Sequence, residues 1–274
     1  MVVEDAYAVP RGHASEVLRQ PRSCAGAVDL GLTNLELIVN IKNAVVFVTG
    51  ASRGLGLAFA REAVARGAVK VYAGMRNPEG FNEPGITPVK LDVTDAHSVT
   101  EAAEIAAGTT ILVNNAGIAE VTGEAFAEDV VDQGRRLFET NYYGVMRVTS
   151  AFQSSLPKDG TGAIINVLSD ATWRVVPFLA PYSASKAAAW SYTNNIRAVL
   201  AEQHVQVLGL HVGVMDTDLT KDFDVPKTDP ADVARQTYDA LEAGESEVLA
   251  DEGTRALKQT LSAKRSGYLD PTAA

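Results

Sequence analysis

The chain has 274 residues, enough for one large domain with a substantial buried core, and its 46% hydrophobic and 21% charged residues are an ordinary globular balance. A formal net charge of -10 argues against a general binder of nucleic acid or of an anionic membrane, since phosphates require clustered Lys and Arg. The single cysteine, Cys24, excludes an internal disulfide and fits a reducing cytoplasm, and no apolar run reaches the ~18 residues of a membrane span.

Residues 1–40 lack a clear pattern. Arg11, Arg19 and Arg22 are mixed with Glu4, Asp5 and Glu16, and there is no apolar leader core. This stretch reads as an N-terminal extension, and 41–274 as the folded domain. Ala44 to Val48 is an apolar run that ends at Thr49-Gly50, which predicts a buried strand and a turn. Leu55 to Ala65 has helical spacing and stops at Gly67. Strands follow at Val69–Ala73 and Ile86–Leu91, then a helix capped by Asp95, then a strand at Thr110–Val113. A long helix is expected over 129–154, a strand at Ala163–Leu168, a helix from about Tyr182 to Glu202, and a strand at Val205–Val212. Asp229-Pro230 opens another helix, and Glu247–Ala250 is a candidate seventh strand. Regular alternation of strand and helix predicts an α/β fold: a doubly wound, parallel seven-stranded Rossmann sheet with helices on both faces.

Gly50, Gly54 and Gly56 lie between the first strand and the first helix. Glycine permits a sharp turn and a close approach of backbone to a pyrophosphate, and the helix start offers free N–H groups to it. Further on stand Asn114-Asn115-Ala116-Gly117, Asn141, Ser169, and Tyr182 with Lys186 one helical turn later. In this order and register, the chain resembles the short-chain dehydrogenase/reductase family, in its shorter branch, from about Ile41 to Asp251. The resemblance implies a nicotinamide dinucleotide held by Gly50, Ser52, Arg53, Gly54, Leu55 and Gly56. Asp92 and Val93 would flank the adenine, Asn115, Ala116 and Gly117 would line the adenosine side, and Val214 and Thr217 would contact the carboxamide.

NAD binders typically carry an acid at the end of the second strand, on the ribose hydroxyls. Here Met75 stands in that place, and Arg76 and Arg53 can pair with a 2′-phosphate, so NADP(H) is favoured over NAD(H).

An unperturbed tyrosine has a pKa near ~10 and is a poor proton carrier at neutral pH. An ammonium about 5 Å away, at an effective dielectric of about 20, favours the phenolate by roughly 3 kcal/mol, or about two pKa units before desolvation opposes it. Lys186 is expected to lower Tyr182 in this way. Tyr182 would then serve as general acid/base between a carbonyl and an alcohol, and Ser169 would bond the substrate oxygen. The resemblance adds ribose contacts for Lys186 and a water-bearing role for Asn141. It also implies a homodimer or homotetramer built through the helices of Asn141 and Tyr182.

Two residues depart from the family pattern: Leu168, where serine is frequent, and Val212-Gly213, where Pro-Gly is frequent. The substrate side is expected along 170–181, with Trp173, Val175, Val176, Pro177, Phe178 and Leu179 as an apolar wall, and on the loop after Thr217. His211 reads as a packed histidine, and the histidines show no metal-ligand grouping. Two other readings stand beside a carbonyl reductase: a cofactor-binding sensor or scaffold without turnover, and a 3-oxoacyl-thioester reductase. The latter's acidic carrier partner would prefer a basic patch.

Overall fold

The computed structural model describes residues 39–121, 125–217, 220, 224–264, 266, 268 and 269. Residues 1–38 of the N-terminal extension, Cys24 among them, and part of the loop after Thr217 therefore lie outside the described residues. Seven parallel strands form one sheet: β1 (Val45–Thr49), β2 (Lys70–Met75), β3 (Ile86–Lys90), β4 (Ile111–Asn114), β5 (Ala163–Val167), β6 (Gln206–His211) and β7 (Glu247–Leu249). Their spatial order is β3-β2-β1-β4-β5-β6-β7. The order reverses beside β1, so a crevice opens at the carboxyl ends of β1 and β4.

The helices are α1 (Gly54–Ala65), α2 (Ala96–Ile105), α3 (Val130–Phe138), α4 (Val145–Phe152), α5 (Ala180–Ala201), α6 (Pro230–Glu242) and α7 (Glu252–Thr260). The inner strands are buried on both faces, and successive residues serve opposite sides. Val46 and Val48 pack with Leu55, Phe59 and Ala63 of α1 and Tyr238 and Leu241 of α6. Phe47, Leu112 and Ile164 pack with Val99, Val148, Phe152 and Leu200 on the other face. Each large side chain so enclosed contributes roughly 1.5–3 kcal/mol. Val39 and Ile41 are already buried in the first of these cores.

Capping follows the local chemistry. Asp95 accepts the His97 N–H at 2.9 Å, and Asp229 accepts from Ala231 ahead of Pro230. The long helix expected over 129–154 is not uniform: a π-helical turn, Glu139–Gly144, separates α3 from α4. Such turns add a residue to the helix and re-aim the side chains around it. A buried polar chain joins sheet and helix. Asn114 Nδ2 donates to Thr149 Oγ1 (3.0 Å) and Asn166 Oδ1 (2.8 Å). Asn166 Nδ2 in turn donates to Thr193 Oγ1 on α5 (2.9 Å), and that hydroxyl donates to the Ala189 carbonyl.

Candidate active site

The turn from β1 into α1 sets the floor of the site. Gly50 has φ +66 and Gly54 φ +55, in the left-handed region that favours glycine. Gly56 is required for a different reason: a Cβ there would stand 2.3 Å from the Gly50 carbonyl oxygen and 2.5 Å from Asn115 Nδ2. Arg53 stands at the N-cap of α1, so the helix start and its backbone N–H groups follow directly on this turn. The loop after β4 is tied to the same turn. Thr49 Oγ1 accepts the N–H groups of Asn115 and Ala116 (both 2.9 Å), and Asn115 Nδ2 donates to the carbonyls of Thr49 (2.9 Å) and Gly50 (3.2 Å).

A cleft of about 570 Å³ runs along the carboxyl ends of the strands. Its lining brings together Gly50, Ser52, Arg53, Gly54, Leu55 and Gly56 from the first turn, and Arg76, Asp92 and Val93 from the ends of β2 and β3. Asn115, Ala116 and Gly117, then Tyr182 and Lys186, and finally Thr217 join them. Val214 is not in the lining. Its carbonyl accepts the Thr228 N–H at 2.9 Å, and Met215 and Asp216 line the cleft instead. Met75, buried at the end of β2, also lines the cleft, as do Ile118, Thr140 and Val167, which the sequence had not singled out.

Behind this lining sit the remaining polar residues. Lys186 is 6% exposed, and its ammonium donates to the Val167 carbonyl at 3.0 Å. Burial pulls its pKa down to about 8. Asn141 is enclosed within the π-helical turn. It accepts the Ile118 N–H (2.9 Å) through Oδ1 and donates to the Ile118 carbonyl (2.9 Å) and Ser185 Oγ (3.0 Å) through Nδ2. A Cβ on Gly117 would meet Asn141 Oδ1 at 3.2 Å and Lys186 Nζ at 3.6 Å, so this glycine lies between them. Asn141 thus fixes the loop that crosses above the lysine.

Ser169 follows β5; its hydroxyl accepts the Ala171 N–H (3.1 Å), faces Asp170 Oδ1 (3.4 Å), and acts to lower the pKa of the Tyr182 phenol. Desolvation outweighs the lowering of Tyr182 expected from Lys186. Desolvation pushes the phenol up to about 12; the Ser169 hydroxyl opposes this and the Asp170 charge adds to it. The reason is enclosure. Lys186 Nζ lies 5.9 Å from the phenol ring, but it is itself desolvated and directed at a backbone carbonyl.

The substrate-side expectation also changes. Trp173 faces inward, stacked on buried His211 at 3.9 Å between ring centroids, with Lys258 Nζ 4.4 Å from its ring on another side. Val175 and Phe178 remain exposed. His211 Nδ1 lies 3.1 Å from the Ser169 carbonyl, which can only accept, so that nitrogen carries the proton. Burial lowers its pKa to about 4, with the Ser169 bond and Glu247 opposing, which leaves it neutral and packed. Among the described residues no group of three or more His, Cys, Asp or Glu could hold a metal ion, and no helix is long and apolar enough to cross a membrane.

The family described as short chain dehydrogenase matches residues 44–227, spanning the glycine turn, Asn141, Ser169, Tyr182 and Lys186. The chain belongs to this family. It is 37% identical to a short chain dehydrogenase of Burkholderia cenocepacia solved in complex with NADP, with a TM-score of 0.78, over 83% of this chain and 96% of that one. An uncharacterised oxidoreductase of Staphylococcus saprophyticus is 31% identical over 75% of this chain and 94% of its own length. The NADPH-dependent 1-acyldihydroxyacetone phosphate reductase of Schizosaccharomyces pombe is 36% identical over 64% of this chain and 60% of its own. This short-chain dehydrogenase is therefore an oxidoreductase on a Rossmann-like sheet.

Proposed function

We propose that the chain interconverts a carbonyl compound and its primary or secondary alcohol with NADP(H), using Tyr182 as general acid/base. The observation that carries this reading is convergence: the phenol, the ammonium and the glycine turn line one cleft, with Ser169 acting on the phenol. The cleft suits a dinucleotide because the space at Gly56 admits no side chain and the start of α1 lines it. Gly50, Ser52, Gly54, Leu55 and Gly56 would hold the pyrophosphate side, and Arg53 and Arg76 the 2′-phosphate. Asp92, Val93, Asn115, Ala116 and Gly117 would hold the adenosine side. Bound there, the nicotinamide would supply or accept the hydride.

The protein's own residues manage the proton. Tyr182 Oη donates it to the nascent alkoxide in reduction and takes it from an alcohol in oxidation. Ser169 stabilises the charge developing on the same oxygen. Lys186, with a pKa near 8, is an ammonium at neutral pH whose charge favours the phenolate as the proton leaves. Asn141 holds the Ile118 backbone and Ser185 in place beside it. The preference for NADP(H) is supported by Met75 in place of an acid, and by the cofactors of the Burkholderia cenocepacia and Schizosaccharomyces pombe proteins. A homodimer or homotetramer formed through α3, α4 and α5 belongs to the same reading.

The test uses NADPH with a panel of aldehydes and ketones. Tyr182→Phe should lower kcat at least about 100-fold, the usual scale of general acid–base catalysis, while retaining NADPH binding. Equal turnover by the two proteins would sink the assignment.

A further inference from the structure

Directly after Ser169 the chain carries a carboxylate, an unfavourable neighbour for a site where negative charge develops. Asp170 Oδ1 lies 3.4 Å from Ser169 Oγ. Its other oxygen, Oδ2, accepts from Arg174 Nε at 2.7 Å, within the same turn, whose backbone is closed by Arg174 N–H to the Asp170 carbonyl. The carboxylate is largely shielded, with side-chain exposures of 14% for Asp170 and 39% for Arg174, so the pair spans from the interior to the surface.

The other charged or titratable groups packed here do not offset it. From α5, Tyr182 is influenced by Ser169, and Lys186 is directed at the Val167 carbonyl. From β6, His211 is neutral and faces the Ser169 carbonyl. Asp251, ahead of α7, is a second carboxylate: both it and Asp170 come within 3.5 Å of where a Cβ on Gly213 would stand. Arg255 and Glu252 pair with each other on α7, and Lys258 pairs with Glu247 behind Trp173.

We propose that Arg174 is a positioning residue for the proton-transfer group: it restrains and neutralises the Asp170 carboxylate, and so controls how much negative charge Ser169 and Tyr182 can carry. The inference rests on the reading of Tyr182 as acid/base given above. With Arg174 present, Asp170 is held in an ion pair and its field at the phenol is partly cancelled. Without it, a full charge remains beside Ser169, competes for the serine proton, and opposes formation of the phenolate.

The measurement is the pH profile of kcat for alcohol oxidation at saturating NADP+, whose acid limb reports the group that must be deprotonated. Arg174→Met should move that limb upward by about one pH unit, which lowers the rate on the limb about tenfold. Arg174→Lys, which keeps the charge, should stay near wild type. Asp170→Asn should move the limb downward, and Asp170→Asn with Arg174→Met should behave like Asp170→Asn alone. The KM for NADP+ should change less than about twofold in all of them, because the pair lies outside the cleft lining.

An unmoved limb in Arg174→Met overturns the proposal. So does a loss that persists in the double variant, since the guanidinium would then act only through structure. Should Arg174→Met fail to fold, Asp170→Asn alone decides by the direction of its shift. Tyr182→Phe, run beside them, separates the two ideas. If it is inactive while the limbs stay fixed, only the role of Arg174 falls; if it turns over like wild type, the reading beneath falls first.

Discussion

Asp251→Ala should loosen the segment between β6 and the cleft. One side chain does three things there: Oδ2 accepts the Gly213 N–H (2.8 Å) and the Thr254 hydroxyl (2.6 Å), and Oδ1 accepts the Thr254 N–H at the start of α7 (2.8 Å). Losing a helix cap costs about 1 kcal/mol, and stranding a half-buried N–H such as that of Gly213 costs about 1–3 kcal/mol. Together the expected loss is about 3 kcal/mol, or a fall in Tm of roughly 6–10 °C for a domain of this size. Since Gly213 leads into Met215, Asp216 and Thr217 in the cleft, NADPH binding should weaken at the same time, by roughly tenfold. The loop has Val212 rather than a proline to stiffen it, so the carboxylate shares its tethering with the backbone bonds from Asp170 to Val212 and from Thr228 to Val214. Chemical denaturation and fluorescence titration with NADPH measure the two effects. A loss under about 1 kcal/mol with unchanged affinity would refute the reasoning. The sign of the pH dependence follows from its pKa. Desolvation raises it, but the bonds from Thr254 and Gly213 and the charge of Arg255 together lower it below the ordinary carboxylate value. Its stabilisation is therefore complete above that ordinary value and is lost as pH falls through the lower folded-state value.

Three further outcomes are expected. Gly56→Ala places a Cβ 2.3 Å from the Gly50 carbonyl, and should cost about 1–3 kcal/mol in unfolding experiments and abolish saturable NADPH binding at micromolar concentrations. His211 has a pKa near 4, against an ordinary value of 6.5, so its contribution is complete above pH 6.5 and fades as pH falls toward 4. His211→Phe should flatten the stability profile within that window, and an unchanged slope there would count against the neutral buried imidazole. Arg76→Ala should reduce the kcat/KM preference for NADPH over NADH by at least about tenfold, by removing a charge-assisted contact to the 2′-phosphate; an unchanged ratio would locate selectivity elsewhere.

The architecture was legible because strand and helix signals alternate without interruption: Ala44–Val48 reads as a buried strand from its apolar run, and Asp95 and Asp229-Pro230 announce their helices by side-chain chemistry. The π-helical turn was not legible, since Glu139–Gly144 lies inside a continuous helical stretch and nothing in its spacing marks the change of hydrogen-bond pattern; Asn141 within it meets the Ile118 backbone. The residues lining the cleft were largely readable as a spaced pattern. What escaped were partners that act through backbone, such as the Val167 carbonyl, and those distant in sequence. Asp251 gave a usable signal, an acid just before Glu252-Gly253-Thr254, which is the pattern of a helix start; its reach to Gly213 is a tertiary fact. Trp173 misled because an apolar segment beside a site does not say which way each ring turns, and His211 offered it a flat buried partner.

The polar chain from Asn114 through Asn166 to Thr193 acts as a dowel between sheet and α5. Thr193 lies on the same side of that helix as Lys186, so the bond that anchors it also fixes the roll angle at which the ammonium and phenol are presented. Apolar packing alone would tolerate a few degrees of rotation, whereas a buried amide ladder does not, because turning the helix would break bonds that no water could replace. Alignment of the reactive pair is therefore set from two turns away, by side chains that never meet the substrate.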